Sequence, residues 1–199
     1  MNYLAHLFLS PPSPQMLLGS LAADFTRGRL ETLARAYPQE MMRGIALHRR
    51  IDRFTDDHHQ VRHSRRRFSP VYRRYSGILV DILHDHFLSR YWSEYTGRDR
   101  IRFIQDVYRL LERQQAQLPP RLRQLAPRMR HEDWLGSYHD LEVIGLVYRR
   151  MEMRLGRPGC MAGAIDEVEA SYRQLADDFN RFFPDLIRFV EQQEEFETP

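Results

Sequence analysis

The sequence predicts an all-α fold, about seven or eight helices forming one domain over residues 1–199. Three observations carry that prediction. Apolar residues recur at spacings of three and four along most of the chain, the period that lines one face of an α-helix. Strand-like alternation and internal repeats are hard to find beside them. The breaks carry helix punctuation: Ser13-Pro14, the pair Pro119-Pro120, and Gly156, Pro158 and Gly159 close together. With 42% hydrophobic and 12% aromatic residues, a chain of 199 residues buries a sizeable core, which argues against disorder.

Taken in order, a first helix begins near Asn2, and a second starts with Ser13 as N-cap and Pro14 at its first position and stops near Gly28. Asp24 then falls in the last turn of that second helix. A third helix is expected from about Pro38 to Phe54, a fourth from Ser69 or Pro70 to about Tyr95, and a fifth from Arg98 to Gln117, ended by Pro119-Pro120. A short piece around Trp134 precedes helices over 137–155 and 162–182, and a last one runs from Pro184 to about Phe196. The stretch 119–131 is the one alternative place for a linker, and the loop Asp56-Asp57-His58-His59 is expected to be solvated.

Composition excludes several classes. Cys160 is the single cysteine, so an internal disulfide is excluded, and the opening residues lack the charged region and cleavage site of a signal peptide; a soluble, cytoplasmic protein is expected. No apolar run approaches the roughly 20 residues of a membrane helix, in keeping with a mean hydropathy of -0.60. All 30 basic side chains are arginine, against 27 acidic ones. Guanidinium is the better bidentate partner for phosphate and carboxylate, which suits an acidic ligand, although codon bias alone would give the same composition.

In the third helix Met41, Ile45, His48, Asp52 and Thr55 fall on one stripe, and in the fourth Ile78, Asp81, Asp85, Leu88 and Trp92 do the same. Ionisable groups thus continue two apolar faces. A buried carboxylate without a partner costs several kcal/mol, and two carboxylates a turn apart repel unless a cation lies between them. A His-plus-Asp helix and an Asp-plus-Asp helix point to a divalent metal. Mixed nitrogen and oxygen donors suit manganese first, with magnesium or iron as alternatives, over structural zinc. The competing reading is a buried ion-pair network with Arg49, Arg50 or Arg90 as counter-charges. His84 and His86 flank Asp85, while His6, among Leu4, Ala5, Leu7 and Phe8, reads by itself as a satisfied core histidine. His58, His59, His63, His131 and His139 receive no role. Arg62, Arg65, Arg66, Arg67, Arg73 and Arg74 form a run without an acid, a positive field that steers an anionic partner or simply a solvated face.

Four blocks carry a resemblance: Met1-Asn2-Tyr3-Leu4-Ala5-His6-Leu7, then Gly19-Ser20-Leu21-Ala22-Ala23-Asp24-Phe25 with Arg27-Gly28, then Gly44-Ile45-Ala46-Leu47-His48-Arg49-Arg50-Ile51-Asp52 with Thr55-Asp56, and Asp81-Ile82-Leu83-His84-Asp85-His86-Phe87-Leu88-Ser89-Arg90 with Trp92. In this order and spacing the first half resembles the acyl-carrier-protein phosphodiesterases; beyond about residue 100 the likeness fades. The resemblance implies a helical fold distantly related to the HD-type metal-dependent phosphohydrolases. It implies hydrolysis of the phosphodiester that joins 4'-phosphopantetheine to a serine of acyl carrier protein. Asp24 matches the family's essential aspartate, and His6, His48, Asp52, Asp81, Asp85 and His86 match its other polar positions; the resemblance makes all seven the expected metal set. His84 departs from the pattern, where an aromatic residue is common. Asp24 or Asp85 is expected to position or deprotonate water, with Arg49 or Arg50 on the phosphoryl oxygens. Carrier proteins are acidic, so the run from Arg62 to Arg74 is the expected docking surface, in preference to nucleic acid. The rivals are an HD-type nucleotide phosphohydrolase and a non-catalytic helical adaptor for acidic protein or RNA.

Overall fold

The computed structural model describes residues 1–197, with backbone only for 194–197. Its elements are helical throughout: α1 (Tyr3–Leu9), α2 (Pro14–Ala22), a 3-10 turn over Ala23–Phe25, α3 (Leu30–Leu33), α4 (Gln39–Asp57), α5 (His59–Arg66), a 3-10 turn over Arg73–Tyr75, α6 (Ser76–Arg90), α7 (Trp92–Tyr95), α8 (Arg100–Arg113), a 3-10 turn over Gln115–Gln117, α9 (Pro120–His131), α10 (Trp134–Ser137), α11 (Leu141–Leu155), α12 (Ala164–Ala170) and α13 (Tyr172–Glu197). The class is the predicted one, divided more finely.

Local chemistry accounts for most of the boundaries. Asp99 caps α8 by accepting from the Arg102 amide at 2.7 Å, and Asp140 caps α11 from the Glu142 amide at 3.0 Å. α11 stops where Gly156 takes a left-handed φ of 63°. Several expected boundaries move. The second helix ends at Ala22, so Asp24 lies in a 3-10 turn rather than in an α-helical last turn. Residues 59–66, expected outside any helix, form α5, capped by His58 Nδ1 accepting from the Gln60 amide. The alternative linker 119–131 is α9, for which Pro120 serves as the first residue. Pro184 does not start a helix; α13 runs through it with Phe182, Phe183 and Leu186 all fully buried. Burial of those side chains offsets the amide that proline removes.

The chain divides into two compact units, and both are discontinuous. One takes residues 3–51 and 91–137, the other residues 1–2, 52–90 and 138–199. In the first, α2 and α4 approach backbone to backbone: a Cβ on Gly19 would meet the Met41 carbonyl, and one on Gly44 the Met16 carbonyl. Only glycine fits at either position. Beyond the crossing, Ala23, Met42 and Ile45 form a small core covered by Leu30, Leu33 and Tyr37, which seats the Ala23–Phe25 turn. Phe8 packs edge-on to Trp92, whose indole Nε1 donates to the Arg98 carbonyl at 2.7 Å. In the second unit the core is aromatic, with Phe68, Phe87, Tyr148, Phe179, Phe182 and Phe183 fully buried and the Tyr148 hydroxyl donating to the Leu79 carbonyl. Burial pushes the Tyr148 phenol well up from its ordinary value.

Candidate functional site

In the unit of residues 3–51 and 91–137, the glycine crossing sets the end of α2 and the turn after it beside α4. Three polar groups predicted from sequence meet there. The His48 ring lies flat against that of His6, with centroids 3.5 Å apart and planes 12° from parallel. Both rings are buried, at 1% exposure for His6 and 4% for His48. His48 Nδ1 is 2.8 Å from the Ser20 carbonyl oxygen. That oxygen only accepts, so Nδ1 carries the proton it donates. His48 Nε2 is thereby turned toward Asp24 Oδ1 at 3.7 Å, and the Asp24 side chain is 41% exposed.

This donor geometry fits a metal ligand. Histidines that bind metals usually hold one nitrogen by a carbonyl and offer the other. Lone pairs on Asp24 and on Nε2 repel across 3.7 Å unless a cation, proton or metal, lies between them. On α4 itself Asp52 follows His48 by one turn. His6 and His48 offer imidazole nitrogens and Asp52 a carboxylate oxygen, donor types compatible with a divalent metal. Arg49, predicted to act on the phosphoryl oxygens, donates through Nη1 to the Gly28 carbonyl at 3.0 Å and so fastens the strand of chain after Asp24 to α4.

In the other unit, the expected carboxylates also gather round a cation. Asp81 Oδ1 lies 3.1 Å and Asp52 Oδ1 3.4 Å from the fully buried Met1 amine. Burial alone would lower that amine's pKa; the Asp81 and Asp52 carboxylates, with Asp85 behind them, more than offset it and raise it to about 10. Asp85 is itself fully buried on α6. Asp81 thus contacts the Met1 amine directly, and Asp85 adds negative charge near it.

His86 does not join either group. Its Nδ1 donates to the Tyr138 carbonyl at 2.9 Å and its Nε2 accepts from the Tyr172 hydroxyl at 2.8 Å, so both nitrogens are engaged and neither is left for a metal. Burial holds its pKa down at about 4. His84 packs against the Phe179 and Phe182 rings, and burial holds it well below the ordinary histidine value.

Half of the arginine run is paired with acids, Arg62 on the surface and Arg65 and Arg67 partly buried. Arg62 binds Asp57, Arg65 binds Asp56, and Arg67 grips Asp178 with Nε at 2.7 Å and Nη2 at 3.2 Å. Asp56, expected in a solvated loop, is instead in α4 and fixes α5 through Arg65. Arg66, Arg73 and Arg74 stay exposed. Sequence reasoning missed Asp178, only 3% exposed, which also accepts from Ser64 Oγ. Its signal was available: Leu175, Asp178, Phe179 and Phe182 form a helical stripe that an acid interrupts.

A family model described as acyl carrier protein phosphodiesterase matches residues 1–186. Relatives named acyl carrier protein phosphodiesterase include one from Pectobacterium atrosepticum, 34% identical over 195 residues that cover 98% of this chain and 100% of the relative. One from Serratia proteamaculans is 37% identical, covering 94% of this chain and 96% of the relative. One from Yersinia pestis is 35% identical, covering 98% and 100%. No solved structure matches. Among the described residues, no helix is long and apolar enough to cross a membrane.

Proposed function

The chain belongs to the acyl carrier protein phosphodiesterase family, and from that premise we propose that it hydrolyses the phosphodiester joining 4'-phosphopantetheine to a serine of acyl carrier protein with the help of a divalent cation. The observation that carries the reading is the Asp24–His48 pair, with His48 held at Nδ1 by the Ser20 carbonyl and stacked on His6. The proposed ligands are His6, Asp24, His48 and Asp52, and the nitrogen and oxygen donors favour manganese, then magnesium or iron. Such an ion supplies positive charge against the phosphodiester and acidifies a nearby water.

The chain's own groups do the rest. Water adds to phosphorus, the bond from phosphorus to the carrier serine oxygen breaks, and that oxygen leaves with a proton, giving apo-carrier protein and free phosphopantetheine. Asp24 has a solvent-open carboxylate and takes the proton of the attacking water. The Ser20 carbonyl fixes the His48 tautomer, so Nε2 faces the reacting centre without rotation. Arg49 keeps its guanidinium on the Gly28 carbonyl through Nη1 and uses its remaining donors on the phosphoryl oxygens. Asp81 and Asp85 hold positive charge on α6. With one cysteine and no possible internal disulfide, the proposed compartment is the cytoplasm.

The test is mass-detected release of phosphopantetheine from purified holo-acyl carrier protein, with added manganese, with chelator, and with an Asp24→Ala variant. Release that needs the metal and disappears in the variant is expected. A folded, manganese-loaded protein that releases nothing would sink the reading and make nucleotide phosphodiesters the next substrates to try.

A further inference from the structure

α8 carries Arg102, Asp106, Arg109 and Arg113 at spacings of four, three and four, which is one stripe of the helix. That stripe lines an open cavity of about 720 Å³ within the unit of residues 3–51 and 91–137. The apolar part of its lining includes Leu17, Phe103, Val107 and Leu110. The Arg98 guanidinium, also in the lining, sits over the Phe8 and Phe103 rings at 5.6 and 5.3 Å. Arg109 is paired with Asp106, whereas Arg102 and Arg113 are exposed and carry no ion pair among the described residues. A groove with an apolar floor and uncompensated guanidinium groups is complementary to an acidic segment that also presents an apolar side chain. The Arg62–Arg74 run offers less, because Arg62, Arg65 and Arg67 are neutralised by Asp57, Asp56 and Asp178.

We infer that the α8 groove is where the acidic carrier protein docks, with its carboxylates on Arg102 and Arg113 and an apolar side chain on the Val107 and Leu110 floor. This rests on the carrier-protein reading of the function, and the experiment separates the two. Binding of holo-acyl carrier protein is measured by calorimetry, and phosphopantetheine release is measured alongside it for the wild type, R102E/R113E, R102K/R113K and an R121E control on α9. Expected is a tenfold or greater rise in Kd and KM for R102E/R113E, with kcat within about twofold and a flatter salt dependence. The lysine pair keeps the charge and recovers most of the affinity, and R121E behaves as wild type. Unchanged carrier affinity in R102E/R113E overturns the inference, as does a loss that reversal at Arg66 and Arg73 causes instead. Saturation of the groove by a long-chain fatty acid that leaves carrier binding intact would overturn it too. Wild type that binds the carrier in this groove yet releases no phosphopantetheine would leave the docking standing and remove the catalytic reading.

Discussion

At the scale of single residues, the proposed site pairs an open group, Asp24, with a buried one, His48. Asp24 is half-exposed in a short 3-10 turn, so replacing it tests the proposed chemistry without opening the core. Asp24→Asn is therefore expected to lower kcat by about 10² to 10⁴ with little change in melting temperature, a range set by general acid–base catalysis. Steady-state kinetics beside thermal unfolding checks it, and a variant of near wild-type turnover would count against Asp24 as the base. His86 makes the opposite case. Its folded pKa is depressed to about 4 by burial, against an ordinary value of 6.5. The neutral ring then stabilises the fold fully above pH 6.5, and that stability drains away between pH 6.5 and 4 as the unfolded chain takes up the proton. The loss amounts to roughly 3 kcal/mol at the acid end. Denaturant titrations at several pH values should show that slope, and His86→Gln should flatten it. Sequence periodicity found the histidine and carboxylate stripes because i, i+4 spacing is written in the chain, and it missed the use of His86 because Tyr138 and Tyr172 are distant in sequence.

At the scale of elements, the position of Asp24 depends on how closely α2 and α4 cross. A Cβ at Gly44 would run into the Met16 carbonyl, and one at Gly19 into the Met41 carbonyl, both rigid backbone atoms. Relief then requires the helices to move apart. Gly44→Ala is expected to cost about 1 to 3 kcal/mol, the usual range for overpacking, and to reduce turnover further than that stability loss explains, because Ser20 and Asp24 shift away from His48. Chemical denaturation gives the first quantity and kcat of the folded fraction the second; full turnover in a folded Gly44→Ala protein would show that the crossing does not set the site. Long apolar-periodic helices such as α4, α8 and α11 were legible within a few residues. α5 was not, since only Val61 and Ser64 of its residues are buried, and Arg62 and Arg65 within it and Arg67 just after it answer to acids on α4 and α13. Proline misled at α13, where the burial of Phe182, Phe183 and Leu186 outweighs local propensity.

At the scale of the whole molecule, the two units are woven from interleaved segments, and α4 contributes to both, with Ile51 the last residue of one and Asp52 the first residue of the other within it. If a divalent ion binds the proposed ligands His6, Asp24, His48 and Asp52, it adds stability that depends on ion concentration. An ion present at a hundred times its dissociation constant adds about 2.7 kcal/mol, and for a chain of 199 residues that is about 5 to 10 °C in Tm at the usual 2 to 4 °C per kcal/mol. Manganese should raise the melting temperature by this amount and chelator should reverse it. His48→Ala should lose the increment while Arg121→Ala, on α9, keeps it. The readout is independent of turnover, so it tests the ligands even when no substrate is present. Identical melting curves with manganese and with chelator would mean that the stacked histidines and Asp24 are held by a proton alone, and the reaction would then have to draw its electrostatic stabilisation from arginine.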